Sequence, residues 1–84
     1  MNKNLIKAVL WNDAAYSNLD KLPDFVPPPR LTVGLIIEDN KEFINIAMNV
    51  YYYSDDNTID QIDGFLIPKN TIISIKEIGD YGSK

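Results

Sequence analysis

The sequence has 84 residues, lacks cysteine and histidine, and carries a net charge of −4 from 12 acidic and 8 basic residues. The length allows one domain, assigned to residues 1–84, and the missing residue types exclude a disulfide framework and a thiolate nucleophile and argue against a zinc site. No segment is basic, which argues against a general nucleic-acid binder, because such binding depends on Lys and Arg at the phosphates.

The first ten residues contain neither a long apolar core nor a small-residue cleavage site, the two features that mark a secretory leader. No apolar run approaches the roughly 20 residues that a membrane-spanning helix needs. These absences predict a cytoplasmic protein without a membrane partner.

The chain begins with a strand and a short helical segment. Leu5–Trp11 is an apolar run whose length fits a strand better than a helix. Ser17 precedes Asp20 by three residues, a spacing typical of a helix N-cap. The three prolines at Pro27–Pro29 favour a stiff, extended backbone. Residues 17–30 are therefore predicted to form a helical turn followed by a proline connector.

The clearest strand in the chain starts at Leu31, because the residues alternate between two faces. Leu31, Val33, Leu35 and Ile37 share one face, and Thr32, Gly34, Ile36 and Glu38 share the other. Asp39–Lys41 has the composition of a tight turn. Phe43–Tyr53 then alternates again, so these segments predict a long hairpin.

Two further strands complete the predicted sheet. Ser54–Thr58 is a polar loop, Ile62–Ile67 predicts the fourth strand and Thr71–Ile78 predicts the fifth. Only Pro68–Asn70 separates the last two strands. Residues 79–84 are predicted to form a flexible tail.

Five strands with short connections predict a mainly β fold, built as one strongly bent antiparallel sheet that forms a small SH3-like barrel. Gly34 favours this architecture, since a glycine inside a strand often marks the sharp bend of a barrel. The alternative is a twisted meander sheet covered by the N-terminal segment. A domain this small has a thin stability margin, and self-association is one remedy, so we also predict a homo-oligomer.

The segment from Val33 to Ile78 resembles the Sm-like family of small barrels. It shares with that family a bent strand with a glycine, an acidic turn, the sequence Phe43-Ile44-Asn45, and Ile-x-x-Asn-x-Ile at Ile67–Ile72. The whole chain is also similar to a group of small phage and prophage proteins, with which it shares Trp11-Asn12-Asp13, Val33-Gly34 and Ile67-Pro68-Lys69. The second resemblance implies a phage or prophage origin.

In RNA-binding Sm-like proteins an aromatic residue and an asparagine contact the base, and the resemblance carries these roles to Phe43 and Asn45. Lys41 replaces the usual aspartate, and Pro68-Lys69 replaces an Arg-Gly pair, although Lys69 still offers a point charge for phosphate. The predicted ligand-binding residues are Phe43, Asn45, Lys69 and Asn70. The alternatives are that Phe43 packs in the core or an interface and that Asn45 bonds to the turn backbone.

Aromatic residues supply two further candidates for a pocket or an interface. Trp11 is followed by Asn12 and Asp13, which would suit a stacking pocket, and the alternative is a core tryptophan followed by a turn. In Tyr51-Tyr52-Tyr53, strand alternation sends Tyr51 and Tyr53 to one face. They suit an oligomer contact or a ligand platform, and the alternative is an ordinary extension of the strand.

The polar residues do not predict a metal site or an enzyme. The acidic segment Asp55–Asp60 suggests a calcium site of the EF-hand type. An EF-hand loop needs an oxygen ligand at its fifth position and a glycine at its sixth, but this segment has Ile59 and Asp60 there. The serines have no visible base, and no pair of carboxylates is positioned by spacing for acid–base work. We therefore predict a protein that is not an enzyme and that uses no cofactor.

The sequence thus predicts a non-enzymatic binding protein that acts as a homo-oligomer. In a phage setting it would engage a host protein in the host cytoplasm or sequester a small ligand such as a nucleotide. The alternatives are a structural oligomer without a ligand and an Sm-like RNA-binding protein.

Overall fold

The computed structural model describes residues 4–12 and 28–82, which form one antiparallel sheet of five strands. The strands are β1 (Leu5–Trp11), β2 (Arg30–Asp39), β3 (Phe43–Tyr53), β4 (Thr58–Pro68) and β5 (Ile72–Asp80), and a 3-10 turn (Lys69–Thr71) joins β4 to β5. Their order across the sheet is β4-β3-β2-β1-β5. The predicted mainly β fold with five antiparallel strands is confirmed.

One predicted strand boundary differs from the structure by more than two residues. The fourth strand begins at Thr58, four residues before the predicted start, because Thr58–Asp60 pairs with Tyr51–Tyr53. This pairing is made by the backbone, which a polar sequence does not reveal. The predicted helical turn and most of the proline connector lie outside the described residues.

The strand β2 changes partner half-way along its length. Its first half, residues 30–35, pairs with β1, and residues 35–39 pair with β3. Gly34 lies at the change, where a Cβ atom would meet the Ala47 carbonyl oxygen and lie 3.1 Å from Ile46 Cγ1. The backbone of β3 therefore crosses β2 at a distance that leaves no space for a side chain at Gly34.

The core lies on one face of this sheet. Its fully buried members come from strands that are not all neighbours, so the sheet must curl around them. The cluster consists of Val9, Trp11, Ile44, Ile46 and Ile67, with Ile36, Phe65 and Ile72 packed against it.

The face of β2 with more apolar residues is not the face that lies in the core. Thr32 is buried and Ile36 packs against the core, whereas Leu31 and Val33 on the opposite face are exposed. Thr32 is satisfied in this position, since its hydroxyl accepts a hydrogen bond of 2.9 Å from Trp11 Nε1. A buried polar partner for the indole thus explains why a threonine occupies the core face.

The contact between Trp11 and Phe65 shows how strongly the sheet is bent. Their strands, β1 and β4, are three steps apart, a separation of about 14 Å in a flat sheet. The two rings nevertheless lie with their centroids 5.9 Å apart. Arg30 covers both rings, with its guanidinium carbon 5.8 Å from the Trp11 ring and 5.3 Å from the Phe65 ring. The sheet is curled but not closed, because no register pairs β4 with β5.

The end of the chain is attached to the rest of the fold. Gly79 and Asp80 pair with Ile6 and Leu5 of β1. The Tyr81 amide donates to the Asn4 carbonyl at 2.9 Å. The Tyr81 ring packs edge-on against Tyr52, with centroids 5.2 Å apart. Residues 79–81 of the predicted tail therefore belong to β5 or contact Asn4 and Tyr52.

Substituting alanine at Gly34 is expected to destabilise the protein by about 1–3 kcal/mol, because the added carbon has to displace the backbone of β3. Gly64→Ala should behave alike, since its Cβ would lie 2.9 Å from Ala47 Cα. Gly79→Ala is the matched control, because nothing lies within 4 Å of the added carbon. It should change stability by less than about 0.5 kcal/mol in urea unfolding. Equal effects at Gly34 and Gly79 would contradict the crossing.

Candidate functional site

Two turns meet at one end of the sheet and form the candidate site. One is the turn between β2 and β3, and the other is the 3-10 turn after β4. The Lys69 amide donates to the Glu42 carbonyl at 2.8 Å, and Phe43 pairs with Pro68. Between the turns lies a shallow, open groove of about 540 Å³ lined by Lys41, Glu42, Pro68, Lys69 and Asn70.

The β2–β3 turn is held in shape by Asn40. Its side-chain oxygen accepts hydrogen bonds from the amides of Glu42, at 2.8 Å, and Phe43, at 2.9 Å. Its own amide donates to the Phe43 carbonyl at 3.1 Å. Asparagine often closes turns in this way, which is the signal that located this turn in the sequence. The groove thus has one wall with a fixed backbone.

The ammonium group of Lys69 forms an ion pair with the carboxylate of Asp39. Lys69 Nζ lies 2.7 Å from one oxygen of Asp39, and Lys7 Nζ lies 3.8 Å from the other. One carboxylate thus faces two ammonium groups, and Glu42 adds a second carboxylate to the groove. Lys7 and Asp39 were not predicted as site residues, since they come from β1 and β2 and have no local sequence signal.

The structure brings three of the four predicted ligand residues together. Lys69 and Asn70 line the groove, and Phe43, which is not part of the lining, pairs with Pro68 at its edge. Asn45 lies two residues further along β3, where its amide is hydrogen-bonded to another side chain.

Gln61 is the partner of Asn45, in place of the turn backbone that the sequence offered as an alternative. Asn45 donates to Gln61 at 3.1 Å, and Gln61 donates back at 3.0 Å. This reciprocal pair bridges β3 and β4 on an exposed surface. A ligand contact by Asn45 would therefore have to replace both hydrogen bonds.

Trp11 occupies the core position that was the alternative to a pocket. Only 6% of its surface is exposed, and its indole N–H is already bonded to Thr32. The amide of Asn12 donates to the Thr71 carbonyl at 2.9 Å, which attaches the end of β1 to the 3-10 turn. Asp13, the third residue of the motif, lies outside the described residues.

The remaining predicted residues, Tyr51 and Tyr53, lie on a two-stranded projection formed by residues 49–63, here called the arm. These residues of β3 and β4 pair with each other and with no other strand. Tyr51 and Tyr53 are 62% and 47% exposed on one face. Tyr52 points to the other face, where its hydroxyl donates to Asn57 at 2.8 Å. The predicted division of the three tyrosines between the faces agrees with these positions.

Asp60 connects the two exposed tyrosines. It lies directly opposite Tyr51, and its carboxylate accepts a hydrogen bond of 3.2 Å from the Tyr53 hydroxyl. This hydrogen bond, together with the negative charge of Asp60, raises the pKa of Tyr53 above its ordinary value of 10.0. The phenol is held in its neutral form because ionisation would place two negative charges side by side.

Other kinds of site find no support in the part of the chain that the structure describes. Within residues 4–12 and 28–82, no group of three or more acidic side chains is placed to hold a metal ion. The same residues contain no helix with the length and apolar character needed to cross a membrane. Comparison of the chain with models of protein families, with curated proteins and with solved structures finds no match.

The Asp60→Asn variant should lower the pKa of Tyr53 toward its ordinary value, because it removes the neighbouring charge while keeping a hydrogen-bond acceptor. In the parent protein the raised pKa adds stability that is present below pH 10 and is lost as the pH rises through the pKa of the folded state. A pH titration of the Tyr53 ring signals by NMR measures the pKa of Tyr53 in the parent and in the variant. Asp63→Asn is the control, since Asp63 bonds to Asn49 instead, and an equal shift in both variants would contradict the pairing.

Proposed function

We propose that this chain is a non-enzymatic binding protein that acts as a homo-oligomer and holds an anionic ligand in the groove between its two turns. The observation that carries the proposal is the meeting of Lys41, Lys69 and Asn70 with Pro68 and Glu42 in one groove, at whose edge Phe43 pairs with Pro68. Ammonium groups and an amide bind phosphate or carboxylate, and an aromatic ring beside them suits a nucleotide base.

The openness of the groove supports a site that is completed by a second subunit. Small-molecule sites bury about 70–90% of their ligand, and a shallow groove on one subunit does not enclose a ligand to that extent. A neighbouring copy covering the groove would supply the missing wall. If the chain is phage-encoded, a surface of a host protein is the other ligand that this open site would accept.

We further propose that the curled sheet is a small barrel of the Sm-like or SH3-like kind. The strand order supports this, since it places the last strand beside the first and leaves β4 at the opposite edge. The contacts of Trp11 with Phe65 and of Tyr52 with Tyr81 bring the two sides of the curl toward each other. The phage or prophage origin rests on the resemblance of the sequence alone.

A structural oligomer without a ligand is the second candidate. The edges of β4 and β5 are unpaired in the sheet, and both strands carry exposed apolar side chains. These are Ile62, Leu66, Ile73, Ile75 and Ile78, each at least 40% exposed. Strand pairing between copies would satisfy the edges and cover this surface.

RNA binding by the groove is the third candidate. It would use the same Phe43 and Lys69, and its affinity should fall with salt as counterions are released. The net charge of −4 opposes it. A mobility-shift experiment with a single-stranded RNA at two salt concentrations distinguishes it from the other two candidates.

Lys69→Met and Phe43→Ala are each expected to weaken binding of a fluorescent ATP analogue by about threefold to tenfold, since each removes a charged or stacking contact. Lys76→Met is the matched control, because Lys76 lies on β5 outside the groove. Titrations followed by fluorescence anisotropy give the affinities. An absence of binding by the parent, or equal losses at Lys69 and Lys76, would contradict the site.

Native mass spectrometry should detect an oligomer. If the structural candidate is correct and the arm also contributes to its interface, replacing both Tyr51 and Tyr53 with alanine should dissociate the oligomer, because these residues offer the largest exposed aromatic surface of the arm. If the groove is the functional site, the same variant should remain assembled. A parent protein that is monomeric at micromolar concentration would contradict both.

A further inference from the structure

The arm presents a sheet face that nothing else in the described residues covers. Residues 49–53 of β3 and 58–63 of β4 extend beyond the point where β2 leaves β3, so they form a two-stranded ribbon. The face toward the chain ends is in use, since Tyr52 packs against Tyr81 and bonds to Asn57. The opposite face carries Tyr51 and Tyr53, both largely exposed.

The side chains on this open face have a specific arrangement. Asp60 lies opposite Tyr51, and the Tyr53 hydroxyl donates to one of its oxygens, Oδ2. This bond leaves the second oxygen, Oδ1, and the remaining lone pair of Oδ2 for a further donor. One carboxylate thus lies on the same face as two exposed tyrosines and is hydrogen-bonded to one of them.

The net charge of the arm, −4, equals the net charge of the whole protein. It contains four aspartates and neither lysine nor arginine, and the remaining sequence holds eight acidic and eight basic residues. The two ion pairs seen among residues 4–12 and 28–82 join Lys7 and Lys69 to Asp39, and neither involves an aspartate of the arm. A basic segment of another molecule would complement the charge of this face.

We propose that the open face of the arm is a docking surface for an arginine-rich segment of a partner protein, with one guanidinium held by Tyr51, Tyr53 and Asp60. The planar guanidinium stacks on a tyrosine ring while its N–H groups bond to the carboxylate beside that ring. Lysine cannot do both, because its ammonium is compact and strongly hydrated. This surface is separate from the groove, so it extends the proposed function rather than resting on it.

The negative charge of the arm distinguishes between three kinds of partner: a nucleic acid, a second copy of this chain and a basic segment of another protein. A nucleic acid would bring phosphates toward four aspartates, which opposes binding. A second copy of this chain has a net charge of −4 and offers no arginine-rich segment, because its only arginine, Arg30, already lies over Trp11 and Phe65. The complementary partner is therefore a basic segment of a different protein.

The test uses the full chain and a fluorescein-labelled hexa-arginine peptide, with a hexalysine peptide of equal charge beside it. Fluorescence anisotropy at low salt should give an affinity for hexa-arginine about threefold to tenfold higher than that for hexalysine. Tyr51→Ala and Asp60→Asn should each weaken arginine binding by about threefold to fivefold, and the Asp60 variant should remove most of the preference for arginine.

Asp55→Asn is the matched control, since it makes the same charge change in the turn of the arm, whereas the hydrogen bond from Tyr53 goes to Asp60. It should weaken binding by less than about twofold. Equal losses at Asp55 and Asp60, equal affinity for the two peptides, or no binding would each overturn the proposal. Lys69→Met should leave peptide binding unchanged, so a failure of the groove and a failure of the arm are told apart. Circular dichroism checks that each variant is folded.

Discussion

The close crossing of β2 and β3 at Gly34 is the constraint on which the rest of this structure depends. Because no side chain intervenes there, β2 can leave β1 and continue along β3, and the sheet curls. The curl gathers Val9, Ile44 and Ile67 into one core and brings two turns to one end as the groove. It also frees the outer half of β3, which continues past β2 as the arm.

Much of the fold could be predicted from alternation and turn residues, since these are local signals. The strands at Leu5–Trp11 and Phe43–Tyr53 and the turn at Asn40 follow from such patterns. Alternation could not show which face of β2 is buried, because the bend and the indole partner of Thr32 arise from other strands. The early start of β4 could not be predicted for a related reason. Thr58–Asp60 pairs with Tyr51–Tyr53 through backbone hydrogen bonds, which leave no pattern in the side chains.

Some residues of the candidate site could likewise be predicted from local sequence signals, whereas others depend on the fold. Phe43, Lys69 and Asn70 were located by resemblance and by their positions in turns, and the structure places them together. The ion pairs of Asp39 with Lys7 and Lys69 join three separate elements, so no spacing in the sequence indicates them. The pairing of Asp60 with two tyrosines also depends on strand register, which local patterns leave open.

The contacts at the turn of the arm affect how the protein folds. Asn57, with a left-handed backbone of φ 59°, accepts hydrogen bonds from Tyr52, five residues away, and from Asn4, 53 residues away. Closing a long loop costs more entropy than closing a short one, so the two contacts form at different times. We expect the hairpin of the arm to form early and autonomously, and its attachment to both chain ends to be a late step that follows assembly of the core.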